Sequence, residues 1–348
     1  MENLDATAGC GRGVRFLPAA LGAVGMLGAL WGAPWNVPRP NAAARPVSQT
    51  KKADPEPIVL FRTSRAVDLA RVLDEAWQEA GPAGTVPGIA PVALPSDMGL
   101  LDPETRKRTF LRAIAPHLLA VNRDIAADRR KIVAIAARLR GSSTLSENES
   151  GVLDEASGRY GVPEAGALLA AGDPAAACKL LLDHVDEVPV RLALAQAAVE
   201  SGWGASRLAR EDNSLFGQCA PRPSGGSAAR PGPDGLWYAR FQTLREGVEA
   251  YVHNLNRFWA YREFRKIRAA MRKAGAPLDS LRLAGALHPY SELGELYVTM
   301  VRALIRDSEI TPFSRARLAP LPQGSGAGEA TQEILALEVA EATGVPGV

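Results

Sequence analysis

Apolar residues recur three and four positions apart in a series of stretches separated by Gly- and Pro-containing breaks, which predicts a mainly α chain. Val67, Leu69, Ala70, Leu73 and Trp77 give helical spacing over 64–80, followed by a Gly/Pro loop over 81–95. Asp102-Pro103-Glu104 has the chemistry of a helix start, with a capping Asp, a Pro in the first turn and an early Glu. Phe110, Leu111, Ile114, Leu118, Leu119 and Ile125 continue that helical region, and a second run over 129–140 carries Ile132, Val133, Ile135, Ala136 and Leu139. Shorter helices are predicted over 147–160 and 173–185. The helix over 189–201 (PVRLALAQAAVES) is apolar on nearly every side and should be buried on most faces. Gly202 and Gly204 sit where it would stop. Residues 221–235 have no hydrophobic period and read as a loop or reduced hairpin, with a short strand over 236–241. Helices resume over 244–258, 261–273, 278–287 and 292–306, and Thr311-Pro312 closes the series.

The ends differ from this body. Phe16 to Val37 carries no charge, follows Arg12 and Arg15, and precedes Ala42-Ala43-Ala44. That pattern is read as an export signal or as a single membrane anchor. The expected location is the cell envelope, periplasmic, either soluble or anchored to the inner membrane. The chain is therefore divided into a signal or anchor (1–45), a linker with a helical segment (46–99), N-terminal helices (100–145), a catalytic domain (146–313) and an Ala/Gly/Glu-rich tail expected to be mobile (314–348).

Composition adds little. The chain is 47% hydrophobic with 33 Gly and 26 Pro, which suits a globular body with several loops. A net charge of +2 with 22% charged residues gives no footprint for nucleic acid, and a mildly basic protein can approach an acidic wall. Cys10, Cys178 and Cys219 are too scattered for a disulfide framework or a zinc site, and His117, His184, His253 and His288 show no metal-ligand spacing. No metal or cofactor is indicated.

The candidate chemistry lies in Ala195-Gln196-Ala197-Ala198-Val199-Glu200-Ser201-Gly202-Trp203-Gly204. Gln196 and Glu200 share one face of the apolar helix. Burial and the negative end of the helix dipole both push a carboxyl in the last turn toward its protonated form. A carboxyl kept protonated near neutral pH is what a glycosidase needs to protonate a leaving oxygen. The alternative is a capping glutamate paired with Arg207 or Arg210, and position alone does not separate the two.

The surrounding words do. AQAAVESGWG, then Asn213-Ser214-Leu215-Phe216-Gly217, then Phe241-Gln242-Thr243-Leu244 leading to Tyr251, and finally Tyr290-Ser291-Glu292 with Tyr297-Val298, resemble in order the motifs of lysozyme-like peptidoglycan hydrolases. Upstream, Asn122-Arg123-Asp124-Ile125 with Arg129-Arg130, and Asp186-Glu187-Val188-Pro189, and downstream Asn254-Leu255-Asn256 with Tyr261, Arg265 and Arg268, resemble the Bax-type glucosaminidases of glycoside hydrolase family 73. The resemblance covers roughly 100–312. It implies a lysozyme-like helical lobe with a small β or loop lobe over a cleft. It implies Glu200 as general acid and Tyr290 as the tyrosine facing the reacting sugar. Gln196, Trp203, Asn213, Phe216, Gly217 and Gln218 are implied as substrate-binding or cleft-shaping residues, although Trp203 and Phe216 also suit plain core packing and Asn213 a turn brace. The implied partner is the peptidoglycan glycan strand, cut after N-acetylglucosamine.

The chain departs from the common pattern in one respect. Glycosidases ordinarily use two carboxyl groups, yet 218–238 holds a single acid, Asp234, in a Pro/Gly/Ser loop. Glu246 and Glu249 are expected to face solvent. The 2-acetamido group of the substrate is then the candidate nucleophile. A Cys178–Cys219 bridge is conceivable in an oxidising compartment. Two other readings stay open: a muramidase or lytic transglycosylase on the same fold, and a wall-binding protein that has kept the cleft without catalysis.

Overall fold

The computed structural model describes residues 58–80, 84–141, 144–220, 229–232 and 235–319. The apolar run over 16–37, Cys10, Asp234 and most of the tail lie outside these residues.

The body is mainly α, as the spacing predicts. α1 (Ala66–Glu79) buries Leu69, Ala70, Val72, Leu73 and Ala76. It packs on α2 (Pro103–Arg138). The two apolar runs read over 102–140 are one 36-residue helix, started by Asp102, whose side chain accepts from the Thr105 amide, and running through Pro116. Pro116 removes one backbone donor, but Ala113, Ile114, Ala115 and Leu118 around it are all buried, and that packing holds the helix together. α3 (Glu147–Arg159) begins with a reciprocal capping box between Ser146 and Glu149. α4 (Pro163–Ala170), not anticipated from the spacing, links it to α5 (Pro174–His184).

α6 (Val190–Ser201) is the central helix. Leu192 to Ala198 are buried without a break, and the short alanine side chains let α2 and α11 pack closely against it. α7 (Arg207–Asp212), capped by Ser206, is a second element that the pattern does not reveal, because six residues carry too little periodicity. α8 (Leu244–Arg257) and α9 (Arg262–Lys273) agree with expectation. The stretch 278–287 instead divides into α10 (Ser280–Ala284) and a 3-10 turn over Gly285–Tyr290. A side chain at Gly285 would lie 2.6 Å from the Arg302 guanidinium, and Pro289 interrupts the turn. α11 (Glu295–Ile305) follows.

The strands are small and paired in twos. β1 (Val59–Phe61) runs parallel to β3 (Ile89–Pro91), with Val59 opposite Ile89. β2 (Thr85–Val86) runs parallel to β6 (Arg317–Leu318). β4 (Ala229–Pro231) and β5 (Trp237–Ala239) form an antiparallel hairpin, which is the small lobe. Residues 59–98 are thus more than a linker: Phe61, Val86, Ile89, Leu94 and Met98 belong to the main core. Arg317 and Leu318, grouped with the tail by composition, are paired. No helix among the described residues is long and apolar enough to cross a membrane.

The segment that leads into α6 is pinned from three sides. Asp186, almost fully buried, takes two hydrogen bonds from the Arg272 Nη2 and Nε at 2.7 and 3.1 Å, with Arg129 and Arg268 at 3.6 and 3.8 Å. These guanidinium groups hold its carboxyl below the usual range despite burial. Arg268 Nη1 also donates to the Asp186 carbonyl and to Asn256 Oδ1. Asn256 Nδ2 donates to the same carbonyl at 3.0 Å. Asn122 on α2 donates to the Val188 carbonyl. The N-L-N and arginine motifs of the sequence therefore serve the backbone ahead of the central helix.

Candidate active site

Glu200 ends α6. The helix stops at Gly202 in the left-handed region, and Trp203 and Gly204 follow in the same region, with φ of 58°, 57° and 76°. Such a conformation is natural for glycine and strained for tryptophan. Ser201 braces the turn, its hydroxyl donating to the Ala197 carbonyl at 2.6 Å and accepting from the Gly204 amide at 2.9 Å. A Cβ on Gly204 would stand 2.7 Å from Leu94 and 2.9 Å from Phe110. The turn is thus pressed onto β3's following loop and α2, and only glycine fits. Trp203, partly exposed, meets Phe110 edge-on at 6.2 Å, with Lys107 Nζ 5.9 Å from its ring centre.

Glu200 keeps some exposed surface, but its Oε1 is enclosed and has no hydrogen-bond partner. Burial raises its pKa to about 8, opposed only by a hydrogen bond with the Tyr297 hydroxyl. A carboxyl with this environment is protonated at neutral pH. The expected alternative of an arginine partner does not hold: Arg210 donates to the Ala205 and Ser96 carbonyls, and no cation contributes to the Glu200 shift.

Gly217, with φ of 62°, faces the acid. A Cβ there would be 3.6 Å from Glu200 Oε2, so the glycine both permits the turn and brings its backbone close to the carboxyl.

Several residues expected at the cleft are internal. Gln196 is fully buried, accepting from the Tyr251 hydroxyl at 2.7 Å and donating to the Tyr297 hydroxyl at 2.8 Å. It supports Glu200 from behind. Phe216 is fully buried and stacks face to face on Tyr251 at 3.8 Å. Gln218 donates to the Gly247 carbonyl at 2.8 Å and is almost fully buried. Asn213 caps α7 with φ of 51° and donates to the Phe241 and Gln242 carbonyls, both at 3.1 Å. The Asn213 and Gln218 amides thus brace the backbone that leads into and starts α8. Tyr290, expected to face the sugar, is fully buried and its hydroxyl donates to the Phe216 carbonyl at 3.2 Å. The tyrosine on the acid is Tyr297, whose ring stacks on that of Tyr290 at 5.4 Å. Neither Tyr297 nor Tyr251 is marked by the sequence as a site residue. The usable signal was Gln196, a polar residue in an apolar helix that must find partners.

The small lobe is tied down by Asp212, whose carboxylate is sealed from solvent and pairs with the Nε atoms of Arg230 and Arg240 at 2.7 Å each. Glu246 and Glu249 are exposed, as expected. Glu246 accepts from the Gln242 amide and Glu249 lies 3.8 Å from His253. His117 is buried, with Nε2 donating to the Pro91 carbonyl at 2.9 Å, and burial lowers its pKa to about 4. Cys178 and Cys219 are both buried and are not joined to each other. No group of three or more His, Cys, Asp or Glu among the described residues is arranged to hold a metal ion.

A helical body, a small hairpin lobe and a protonated glutamate at the end of a buried helix define a glucosaminidase-type domain. Residues 181–307 match the family model described as mannosyl-glycoprotein endo-beta-N-acetylglucosaminidase. The chain is 34% identical over 204 residues to Protein bax of Escherichia coli (strain K12), an alignment covering 59% of this chain and 70% of that protein. The chain belongs to the Bax family of glucosaminidase-domain proteins. No solved structure matches it.

Proposed function

We propose that the protein is a peptidoglycan hydrolase, a β-N-acetylglucosaminidase that cleaves the bond between N-acetylglucosamine and N-acetylmuramic acid, with Glu200 as general acid. The observation that carries this reading is the setting of Glu200: one carboxyl oxygen enclosed without a hydrogen-bond partner, no cation against it, and burial pushing its pKa up to about 8. The family supports a glycan substrate. Glu200 gives its proton to the glycosidic oxygen as the bond to C1 breaks. No acid contributes to the Glu200 shift, and Asp212 is committed to two arginines. The nucleophile is therefore assigned to the substrate's own 2-acetamido oxygen, which bonds C1 as the leaving oxygen departs. Water then attacks C1, reopens the ring and returns a proton to Glu200. Trp203, the partly exposed aromatic on the strained turn, is assigned a sugar-binding role. The protein is proposed to act in the cell envelope.

A site with no second acid beside Glu200 among the described residues also suits a lytic transglycosylase, so the test must identify the new chain end. Sacculi are digested with the protein and with Glu200→Gln, reduced with borohydride and analysed by mass spectrometry. Reduced N-acetylglucosamine ends, absent with the variant, are the expected result. Anhydro or reduced muramic ends would move the protein to the muramidase or transglycosylase class. Intact sacculi that retain the protein would support a binding role.

A further inference from the structure

Trp259 is the large aromatic that the fold leaves in water. Among the described residues every other Trp, Tyr and Phe is buried or partly buried, whereas Trp259 is 76% exposed. Its support, by contrast, is fixed. The 3-10 turn over Trp259–Tyr261 joins α8 to α9, with Phe258 packed on the main core before it and Tyr261 buried at its end. The Phe258 amide donates to the Asn254 carbonyl at 2.9 Å, and the Tyr261 amide to the Phe258 carbonyl at 3.1 Å. Arg265, itself buried, donates from Nη1 to the Leu255 and Phe258 carbonyls at 3.2 and 2.8 Å. An indole turns about only two side-chain bonds, so on a pinned backbone it offers a large flat apolar face at small entropic cost of binding.

Short links connect this turn to the acid. The Phe258 ring lies 5.5 Å from that of Trp259 and 6.1 Å from that of Tyr261, and Tyr261 lies 6.0 Å from Tyr290. The Tyr290 hydroxyl donates to the Phe216 carbonyl at 3.2 Å, and at the next residue, Gly217, a Cβ would stand 3.6 Å from Glu200 Oε2. The indole thus stands at the outer end of a continuous wall whose inner end touches the carboxyl. The side chains that follow it into solvent are charged, Arg262 and Glu263. The buried centre of a protein interface is depleted of charge, which sets this place apart from a protein-docking patch. A single flat apolar face among charged groups suits a sugar ring, whose C–H face is apolar and whose rim is hydroxyl.

We propose that Trp259 is a remote glycan subsite: its indole stacks on a sugar ring of the same strand whose bond lies at Glu200, several sugars away. The role rests on the reading of the protein as a glycan hydrolase. It gives the site a preference for polymer over fragments, because only a strand long enough to reach the 3-10 turn gains the stack.

Binding is measured in Glu200→Gln protein, where no cleavage consumes the ligand, with Trp259 kept or replaced by Ala. The ligands are peptide-free glycan strands prepared from sacculi and tetrasaccharides cut from them. Loss of the indole should raise the Kd for long strands roughly fivefold to tenfold, the worth of one aromatic stack, and should move the Kd for tetrasaccharides less than about twofold. Trp259→Tyr, which keeps a flat ring, should recover most of the affinity for long strands. Val133→Ala, another exposed apolar position, should change neither ligand. Equal weakening for strands and tetrasaccharides would make Trp259 a support of the catalytic turn and overturn the proposal. No weakening for either would overturn it too, as would an equal effect of Val133→Ala. Cleavage of sacculi by the parent protein is scored separately: cleavage without the Trp259 difference keeps the enzyme and rejects the subsite, and the Trp259 difference without cleavage keeps the subsite and rejects the hydrolase.

Discussion

Asn122 and Val188 exchange two hydrogen bonds across the interior: the Asn122 amide donates to the Val188 carbonyl at 2.7 Å, and the Val188 amide donates to Asn122 Oδ1 at 3.1 Å. A side chain on α2 thereby acts as a strand partner for the segment that starts α6. Asn122→Leu keeps the volume but leaves both backbone groups buried and unpaired. It should cost roughly 2–4 kcal/mol, read as a lower urea midpoint with an unchanged slope.

The turn after Glu200 distinguishes two glycines. Gly202 and Gly204 both have positive φ, but a Cβ on Gly202 meets nothing within 4 Å, whereas one on Gly204 strikes Leu94 and Phe110. Gly202→Ala should cost about 1 kcal/mol from backbone strain alone. Gly204→Ala should cost about 2–4 kcal/mol through added overpacking. Thermal melts of the two variants compare them directly, and equal losses would show that the contact with Leu94 is soft.

Glu200 should weaken the fold that holds it. Its pKa is raised from the ordinary 4.5 to about 8, so the folded state resists deprotonation more than the unfolded state does. Stability is unaffected below pH 4.5 and is lost as pH rises toward 8. Glu200→Gln should match the parent protein at pH 4 and exceed it at pH 8 by roughly 3–5 kcal/mol in denaturant titrations. Activity should fall over the same range as the acid loses its proton, and the basic limb of the pH–rate profile should lie near 8.

Asp234→Ala should leave cleavage largely intact if the acetamido group supplies the nucleophile. Turnover of sacculi by this variant is the measurement. Near-total loss, with the fold unchanged by circular dichroism, would assign Asp234 a direct part and remove the substrate-assisted route.

The helices were legible because their period is local. Pro189 to Ser201 announced a buried helix by being apolar on every side, and Glu200 was found from its motif and its place at that helix's end. Side-chain roles were less legible. Asn213, Phe216 and Gln218 belong to words that resemble a binding site, yet they brace backbone and core. Motif words record that a residue type is required without saying whether its atoms face solvent. Tyr290 and Tyr297 are seven positions apart with the same chemistry, and only the packing of α11 on α6 decides which one reaches the acid. The pairing of β2 with β6 was not visible at all, since two-residue strands carry no period.

That pairing has a consequence for the order in which the protein is made. Thr85 and Val86 align with Arg317 and Leu318, and Leu318 also packs on the small cluster of Ile58, Ala90 and Ala120. During synthesis the N-terminal strand emerges early and waits for a partner encoded more than two hundred residues later. Its exposed edge is covered only when translation has passed α11. The fold can shut only after Leu318 has emerged, and a chain cut short before it would carry an open edge for proteases to recognise.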